Sequence, residues 1–293
     1  SMFSWALGAA LAAIAGVLIA PVQNLEPITL TLLVVTAYSA AAVGRLRSLP
    51  LTFLGALIVG LGESWLTMIP GDAAIGDFQL SKLATAWSPI VLLVAIIFLP
   101  QPKLRTTGQH THREHWPMPT MKAAWLGAGA VVATALGIGL LLQPVDRLLV
   151  LEGLFFALVA LSLVPLTGYA GQISLAQITF AGVGGIVTAM VGAELQPLSA
   201  VIAVAVTAIF GGLVALPALR LQGIYLALAT AALAILMYQL VFLQPSIMPG
   251  NNRQVPPLGI GDWTVSTTLG QIVVLAVAFG LVGVGLVALR RGS

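Results

Sequence analysis

The sequence predicts an all-α protein: a polytopic bundle of about ten transmembrane helices. Hydrophobic residues make up 59% of the 293 residues, and charged residues only 7%, whereas a soluble chain carries about 25% charged residues. One span needs about 20 apolar residues, so ten spans take most of the chain. No room is left for a separate soluble domain.

The apolar segments predict helices rather than strands. They are continuous, and they are longer than the alternating segments of about ten residues that build a membrane barrel. A window of about 19 residues finds ten segments bounded by proline, glycine and charge. They lie near residues 3–20, 28–43, 51–69, 84–100, 123–142, 147–166, 171–193, 198–217, 222–243 and 269–289.

A polar connection divides the ten segments into two blocks. Residues 1–100 hold four spans, residues 101–122 form a linker, and residues 123–293 hold six. The linker contains three histidines, which form either a loose metal site or, as we expect, part of a solvated basic loop. These histidines are His110, His112 and His115.

The distribution of Lys and Arg predicts the orientation, because cytoplasmic connections are enriched in both. With the N-terminus inside, the inner connections hold nine basic residues: Arg45, Arg47, Lys103, Arg105, Arg113, Lys122, Arg220, Arg290 and Arg291. The outer connections hold three: Lys82, Arg147 and Arg253. Both termini are therefore expected in the cytoplasm.

Several function classes are excluded by what the residues lack. Zero cysteines exclude a disulfide framework and a thiolate metal site. None of the lysines follows a glycine as in a phosphate-binding loop, so the chain is not expected to hydrolyse ATP. A hydrolase needs a nucleophile with a base and an orienting acid, but all three histidines lie in the linker, so no enzyme is expected. The net charge of +3 is scattered and does not form a nucleic-acid stripe. We expect no catalytic residue, metal or nucleic-acid partner.

Glu63 is the one acid that falls well inside a predicted span. Ionisable groups at membrane depth are functional candidates. The alternative is a structural role, in which an acid about two turns from the end of its segment reaches the membrane surface or caps a neighbouring helix. Small residues recur at positions that allow close helix approach. These are Gly8, Ala12 and Gly16, then Gly55 and Gly60, then Gly184 and Thr188.

The stretch 167–180 differs from the other predicted spans in its polar residues. It places glycines, glutamines and hydroxyl residues at membrane depth just after Pro165, where a regular helix is hard to maintain. Broken backbone is tolerated there if it is buried in protein or lines a wet cavity. The alternative is an ordinary helix start whose polar residues face neighbouring helices.

These residues resemble a known family. The run GYAGQISLAQITFAGVGGIVTAM at 168–190 and the run LRLQGIYLALATAALAILM at 219–237 look like the LivM-type permease of branched-chain amino acid ABC importers. The family usually has Gly and His where this chain has Ala176 and Gln177. In the first block, residues 7–21 and 44–63 resemble the closing half of the LivH-type permease.

The resemblance implies a multi-pass inner-membrane permease of an ABC importer for branched-chain or related hydrophobic amino acids. Its expected partners are ABC ATPase subunits, which would bind the ATP, an extracytoplasmic substrate-binding protein, a second permease portion or copy, and membrane lipid. No cofactor of its own is expected. Polar contacts along the pathway are expected from Tyr169, Gln172, Ser174, Gln177, Thr179 and Thr230.

Two other classes remain open. One is an ion-coupled secondary carrier. The other is a truncated membrane fragment or scaffold that does not transport, because the family's coupling segments would lie before Phe3 and after Arg291.

Overall fold

The computed structural model of the chain describes most of its residues. The residues that it describes are 2–21, 27–70, 73–75, 78–99, 119–192, 198–221, 223–251, 253, 255, 259–260, 263–265 and 267–292. Most of the predicted linker, including its three histidines, lies outside this part of the chain.

Ten α-helices lie within the described residues, and their positions agree with the ten predicted segments. They are α1 Met2–Ile19, α2 Pro27–Val43, α3 Leu49–Leu66, α4 Lys82–Phe98, α5 Met121–Leu141, α6 Arg147–Leu163, α7 Gln177–Val191, α8 Leu198–Ala218, α9 Ile224–Met237 and α10 Thr268–Gly292. Two of them continue into a π turn, α6 through Val164–Tyr169 and α9 through Tyr238–Phe242.

Strand content is limited, in the described residues, to two antiparallel pairs. These pairs are β1 Ala74–Ile75 with β2 Phe78–Gln79, and β3 Gly259–Ile260 with β4 Trp263–Thr264. Each closes a connection between helices. The predicted all-α polytopic architecture is confirmed.

Seven helical stretches of the described chain are long and apolar enough to cross a membrane. They are Met2–Ile19, Leu49–Leu66, Met121–Leu141, Arg147–Tyr169, Leu198–Ala218, Ile224–Phe242 and Thr268–Arg291. Three apolar helices are shorter: Leu33–Val43, Lys82–Phe98 and Gln177–Val191. The chain is therefore a multi-pass membrane protein, while the count of ten spans stays a prediction.

The start of the seventh segment differs from the prediction. Helix was expected from residue 171, but α7 begins only at Gln177. A helix of 15 residues rises about 22 Å, which is less than the hydrocarbon thickness of about 30 Å. This helix alone is therefore too short to cross the hydrocarbon region.

Helices α2–α10 pack into one continuous bundle. Helices α2 and α3 pack on α4, α4 packs on α9, and α9 contacts α7. Helix α7 packs against α8 and α6, and α10 packs between α5 and α6. A shared core joins the two predicted blocks, because Leu92, Ala95 and Ile96 of α4 cluster with Leu226 and Ala229 of α9. The division into blocks remains a prediction, but the blocks are in direct contact.

The packing also fixes which helix ends lie together. Gly139 of α5 approaches Leu269 of α10, and Gly280 of α10 approaches Ala128, so these two helices run antiparallel. The Arg290 guanidinium lies over the Tyr169 ring, 4.9 Å from its centroid. The end of α10 therefore meets the end of α6.

The two ends of the bundle therefore differ in the charged residues that they carry. One end, called here the basic end, carries the described residues Arg45, Arg47, Lys122, Arg220, Arg290 and Arg291. The opposite end carries Lys82, Arg147 and Arg253 together with the described carboxylates Glu63, Asp146 and Glu152.

Only some of the small residues singled out in the sequence mark close helix contacts. A Cβ on Gly55 would lie 2.6 Å from the Ala40 carbonyl oxygen and 2.9 Å from the Val43 Cβ, so α3 meets α2 at this glycine. Gly8, Gly16 and Gly60 have nothing within 4 Å of such a Cβ. Helix α1 has no buried residue.

A lysine connects the two blocks at the opposite end. The Lys82 ammonium, at the start of α4, donates to the Leu243 carbonyl oxygen after the π turn of α9. It also lies 3.5 Å from Oε1 of Gln244, whose side chain is buried. A cation at the end of a helix satisfies the carbonyls that have no partner there.

Gly55→Ala is expected to destabilise the protein by about 1–3 kcal/mol, because the new methyl group forces α3 away from α2. Gly60→Ala on the same helix is the matched control and should leave stability unchanged or slightly higher. The measurement is the thermal unfolding midpoint of each purified variant in detergent. Equal midpoints for the two variants would contradict the contact.

Lys82→Met should lower stability by about 1.5–3 kcal/mol, the contribution typical of a hydrogen bond from a charged donor. The control is Lys122→Met, since Lys122 is an exposed residue in the first turn of α5. Denaturant unfolding of both variants tests this. A Lys82 variant as stable as the control would show that the bond contributes nothing.

Candidate functional site

The interrupted helix between α6 and α7 is the candidate site. Pro165 has no N–H, and its ring clashes with the carbonyl four residues earlier, so the α-helical pattern cannot continue through it. The chain winds instead into the π turn, in which the Ala170 N–H donates to the Pro165 carbonyl oxygen at 3.0 Å. Gly171, at φ +65°, then turns the backbone out of the helix. Residues 170–176, called here the broken segment, are not helical.

Thr230 anchors the broken segment to α9. Its Oγ1 accepts from the Leu175 N–H at 2.9 Å and lies 3.0 Å from the Leu226 and Ala227 carbonyl oxygens, one of which receives its proton. Thr230 is 6% exposed. It lies six residues into α9, about 9 Å from the start of that helix, so the broken segment enters the bundle to that depth.

The broken segment leaves backbone groups without partners. In its other hydrogen bonds, the Gln172 N–H donates to the Leu166 carbonyl oxygen at 2.8 Å and the Ala176 N–H donates to Ser174 Oγ at 3.3 Å. The Ala176 carbonyl oxygen accepts from the Phe180 N–H at 3.1 Å. Within the described part of the chain, the carbonyl oxygens of residues 171–175 accept no hydrogen bond. The N–H groups of residues 177–179 donate none, and α7 has no side-chain cap.

A cleft of about 570 Å³ opens beside the broken segment, between α6, α7 and α8. Its lining is largely apolar, including Phe155 and Phe180. The polar lining residues are Ser162, Gln177, Thr188 and Thr207. Ser162 Oγ lies 3.1 Å from Gln177 Oε1, and Thr207 Oγ1 is buried without a hydrogen-bond partner.

The six predicted pathway residues do not form one cluster. Ser174 and Thr230 hold the broken segment, and Gln177 lies at the edge of the cleft. Thr179 is buried in the first turn of α7. The other two are more accessible: Gln172 is half-buried, and Tyr169 is exposed with its ring under Arg290. Their role in transport stays a prediction.

Sequence reasoning did not identify Ser162 and Thr207. Ser162 is the polar residue closest before Pro165 in an otherwise apolar run, which is a weak signal for a residue that faces the break. Thr207 gives no signal of its own, because a lone threonine in a span usually bonds to its own helix.

Glu63 lies in the last turn of α3, three residues before the helix ends at Leu66. It is half-buried, and among the described residues it makes no ion pair. This position is closer to the helix end than the sequence suggested, and its role is still a prediction.

Comparison with known proteins identifies a family that matches the part of the chain containing this site. Residues 145–291, half of the chain and including α6–α10, match the family described as branched-chain amino acid transport system / permease component. Among curated proteins, the chain is similar to the probable branched-chain amino acid transport permease protein LivH of Methanocaldococcus jannaschii, with 38% identity over 100 residues.

That similarity covers 34% of this chain and 31% of the archaeal protein, so the chain spans about a third of the relative's length. No solved structure matches the chain. The predicted family is thereby confirmed, while the assignment of a LivM-type portion and a fusion stays a prediction. The chain belongs to the permease components of branched-chain amino acid transport systems, which are membrane components and not enzymes.

Proposed function

We propose that the chain forms the transmembrane pathway of an ABC importer for branched-chain or related hydrophobic amino acids, without hydrolysing ATP itself. The observation that carries the proposal is the broken segment, since irregular backbone at membrane depth persists only where it is buried in protein or lines a cavity. Discontinuous helices of this kind form binding sites in many transporters.

The free backbone groups complement an amino acid at both of its charged ends. The carbonyl oxygens of residues 171–175 are acceptors for an ammonium group. The uncapped N–H groups of residues 177–179 are donors for a carboxylate, which the positive end of the α7 dipole also favours. Acceptors and donors follow each other within nine residues, so one zwitterion can contact both sets.

The side chains have supporting roles in this proposal. Thr230 and Ser174 hold the backbone, Gln177 and Thr179 carry the donors of α7, and Gln172 lies among the acceptors. The apolar cleft beside them is suited to an aliphatic side chain, because its polar lining consists of uncharged groups.

The partners proposed are ABC ATPase subunits, an extracytoplasmic binding protein and a second permease portion or copy. Membership of the permease-component family supports the first two in general terms. ATP would be bound by the ATPase subunits, and the chain itself would need no cofactor.

The proposed location is the inner membrane, with the basic end and both termini in the cytoplasm. Cytoplasmic ends of membrane helices are enriched in Lys and Arg. Six described basic residues lie at the basic end and three at the other, while the described carboxylates Glu63, Asp146 and Glu152 lie at the opposite end.

The decisive experiment is uptake of radiolabelled leucine into cells or proteoliposomes that contain the chain together with its candidate ATPase and binding protein. Uptake that requires ATP and the ATPase supports the proposal. Uptake that collapses with the proton or sodium gradient and ignores the ATPase would identify a secondary carrier. A folded chain that neither binds the ATPase nor transports would be a non-transporting fragment or scaffold.

Thr230→Val is expected to reduce uptake about tenfold, because the Leu175 N–H loses its acceptor on α9, a loss of about 1–3 kcal/mol. Thr230→Ser keeps the hydroxyl and should retain most of the uptake. Thr134→Val, at an exposed position of α5, is the control for the same change elsewhere. The measurement is the initial rate of ATP-dependent uptake at equal protein levels, and a Thr230→Val rate equal to that of the control would contradict the anchoring role.

Single cysteines test the orientation directly, since the native chain contains none. Leu219→Cys lies in the exposed turn after α8, at the basic end, and Gln143→Cys lies in the exposed turn before α6, at the opposite end. A membrane-impermeant maleimide should label Gln143→Cys in intact cells and Leu219→Cys only in inverted vesicles. The reverse pattern would invert the proposed topology.

A further inference from the structure

The basic end carries a concentration of cations that the pathway proposal does not use. The turn 44–47 follows α2 and holds Arg45 and Arg47, and the turn after α8 holds Arg220. All three side chains are exposed. No described carboxylate lies at this end, so these charges have no protein counter-ion there within the described residues.

Both turns lie beside the end of α4. Ala42, just before the first turn, and Leu221, just after Arg220, belong to one buried cluster with Ile96 of α4. Partly buried Val43 and Ala218 pack against the same cluster. The arginines therefore flank one site at the surface of the bundle.

The first turn is held in an unusual conformation. Arg45 and Leu46 both have φ of 54°, a region that costs free energy for residues other than glycine. Gly44 permits the turn, because a Cβ there would overlap Thr52 Oγ1 and lie 2.9 Å from the Thr52 backbone nitrogen. Packing thus fixes where the two arginines leave the backbone.

An apolar cleft runs inward from the same place. It lies between α4, α8 and α9, has a volume of about 90 Å³ and exposes no polar lining surface. A single water needs about 10–15 Å³, so the cleft accepts a short run of methylene groups. Its lining includes Ala218, Leu221, Ala229 and Thr230.

A buried hydroxyl without a partner lies on the same face of α9. Tyr225 is one helical turn from Ala229, which lines the cleft, and positions four apart share a helix face. Within the described part of the chain its buried hydroxyl has no hydrogen-bond partner, an arrangement that costs about 1–3 kcal/mol. The end of α4 therefore combines exposed cations with an apolar cleft.

We propose that the basic end binds an anionic phospholipid, with its phosphate between the turns that hold Arg45, Arg47 and Arg220 and part of one acyl chain in the cleft between α4, α8 and α9. Charge complementarity selects the headgroup, and the apolar cleft selects a lipid over a soluble anion or an acidic protein surface. The cleft shares Thr230 with the anchor of the broken segment, but the proposal does not depend on the transport proposal.

The experiment measures lipid retained by the purified full-length chain, by native mass spectrometry after transfer from nanodiscs of phosphatidylcholine containing phosphatidylglycerol. We expect phosphatidylglycerol to be retained in preference to phosphatidylcholine. Each of Arg45→Gln, Arg47→Gln and Arg220→Gln should weaken retention about fivefold, from about 1 kcal/mol per basic residue near a membrane surface. Equal retention of the two lipids by the native chain would overturn the proposal.

Arg291→Gln is the matched control. It removes the same charge at the same end, on exposed α10, which packs on α5 and α6 rather than beside the cleft. Its retention should stay near that of the native chain. A loss equal to those of the three arginine variants would mean diffuse attraction to the surface and would overturn the site.

The acyl chain is tested separately. Ala218→Phe fills the cleft and should reduce retention with all three arginines in place.

As a check that does not depend on folding of a variant, inorganic phosphate at millimolar concentration should not displace the lipid from the native chain. Displacement would identify a phosphate site instead. If the arginine variants kept the lipid but lost a co-expressed ATPase subunit, the arginines would serve protein docking and the proposal would be wrong.

Discussion

The hydrogen bond between the Leu175 N–H and Thr230 Oγ1 is the contact on which the arrangement around the candidate site depends. Within a bilayer a backbone group without a partner is costly, so a chain that leaves helical geometry needs a fixed acceptor at that depth. Thr230 supplies it at 2.9 Å while its own proton stays on α9. The position of the broken segment is thus set by α9.

Helix α9 is in turn positioned by α4. The buried surface between them is formed by Ala95, Leu92 and Ile96 on one side and by Ala229 and Ala232 on the other, and alanines let the helix backbones approach closely. Lys82 adds a polar contact between α4 and the end of α9. The first block therefore supports the site through α9, although the candidate residues all lie in the second block.

Much of the fold could be predicted from the sequence because each apolar run is bounded by proline, glycine or charge. The break after Pro165 could also be predicted, since Pro165 and Gly171 cause it locally. Thr230 was predicted as a polar residue of the pathway, but its hydrogen bond with Leu175 was not predicted. The contacts Ser162 to Gln177, Lys82 to Leu243 and Thr230 to Leu175 join different helices, and a single sequence carries no periodic signal for such pairs. The length of α7 was overestimated because hydropathy averaged over a window of about 19 residues does not locate the residue at which a helix begins.

The chemistry of the cleft beside α7 bears on which part of a substrate it can receive. Its described polar groups are three hydroxyls and one amide, and no charged side chain lines it. A zwitterion placed wholly inside would lose the hydration of two charges and gain only neutral contacts, which is strongly unfavourable. Gln177, at the start of α7 and next to the broken segment, lines this cleft. Under the proposed function, the charged ends of an amino acid stay at the broken segment and only its aliphatic side chain enters the cleft, where it meets the apolar lining that includes Phe155 and Phe180.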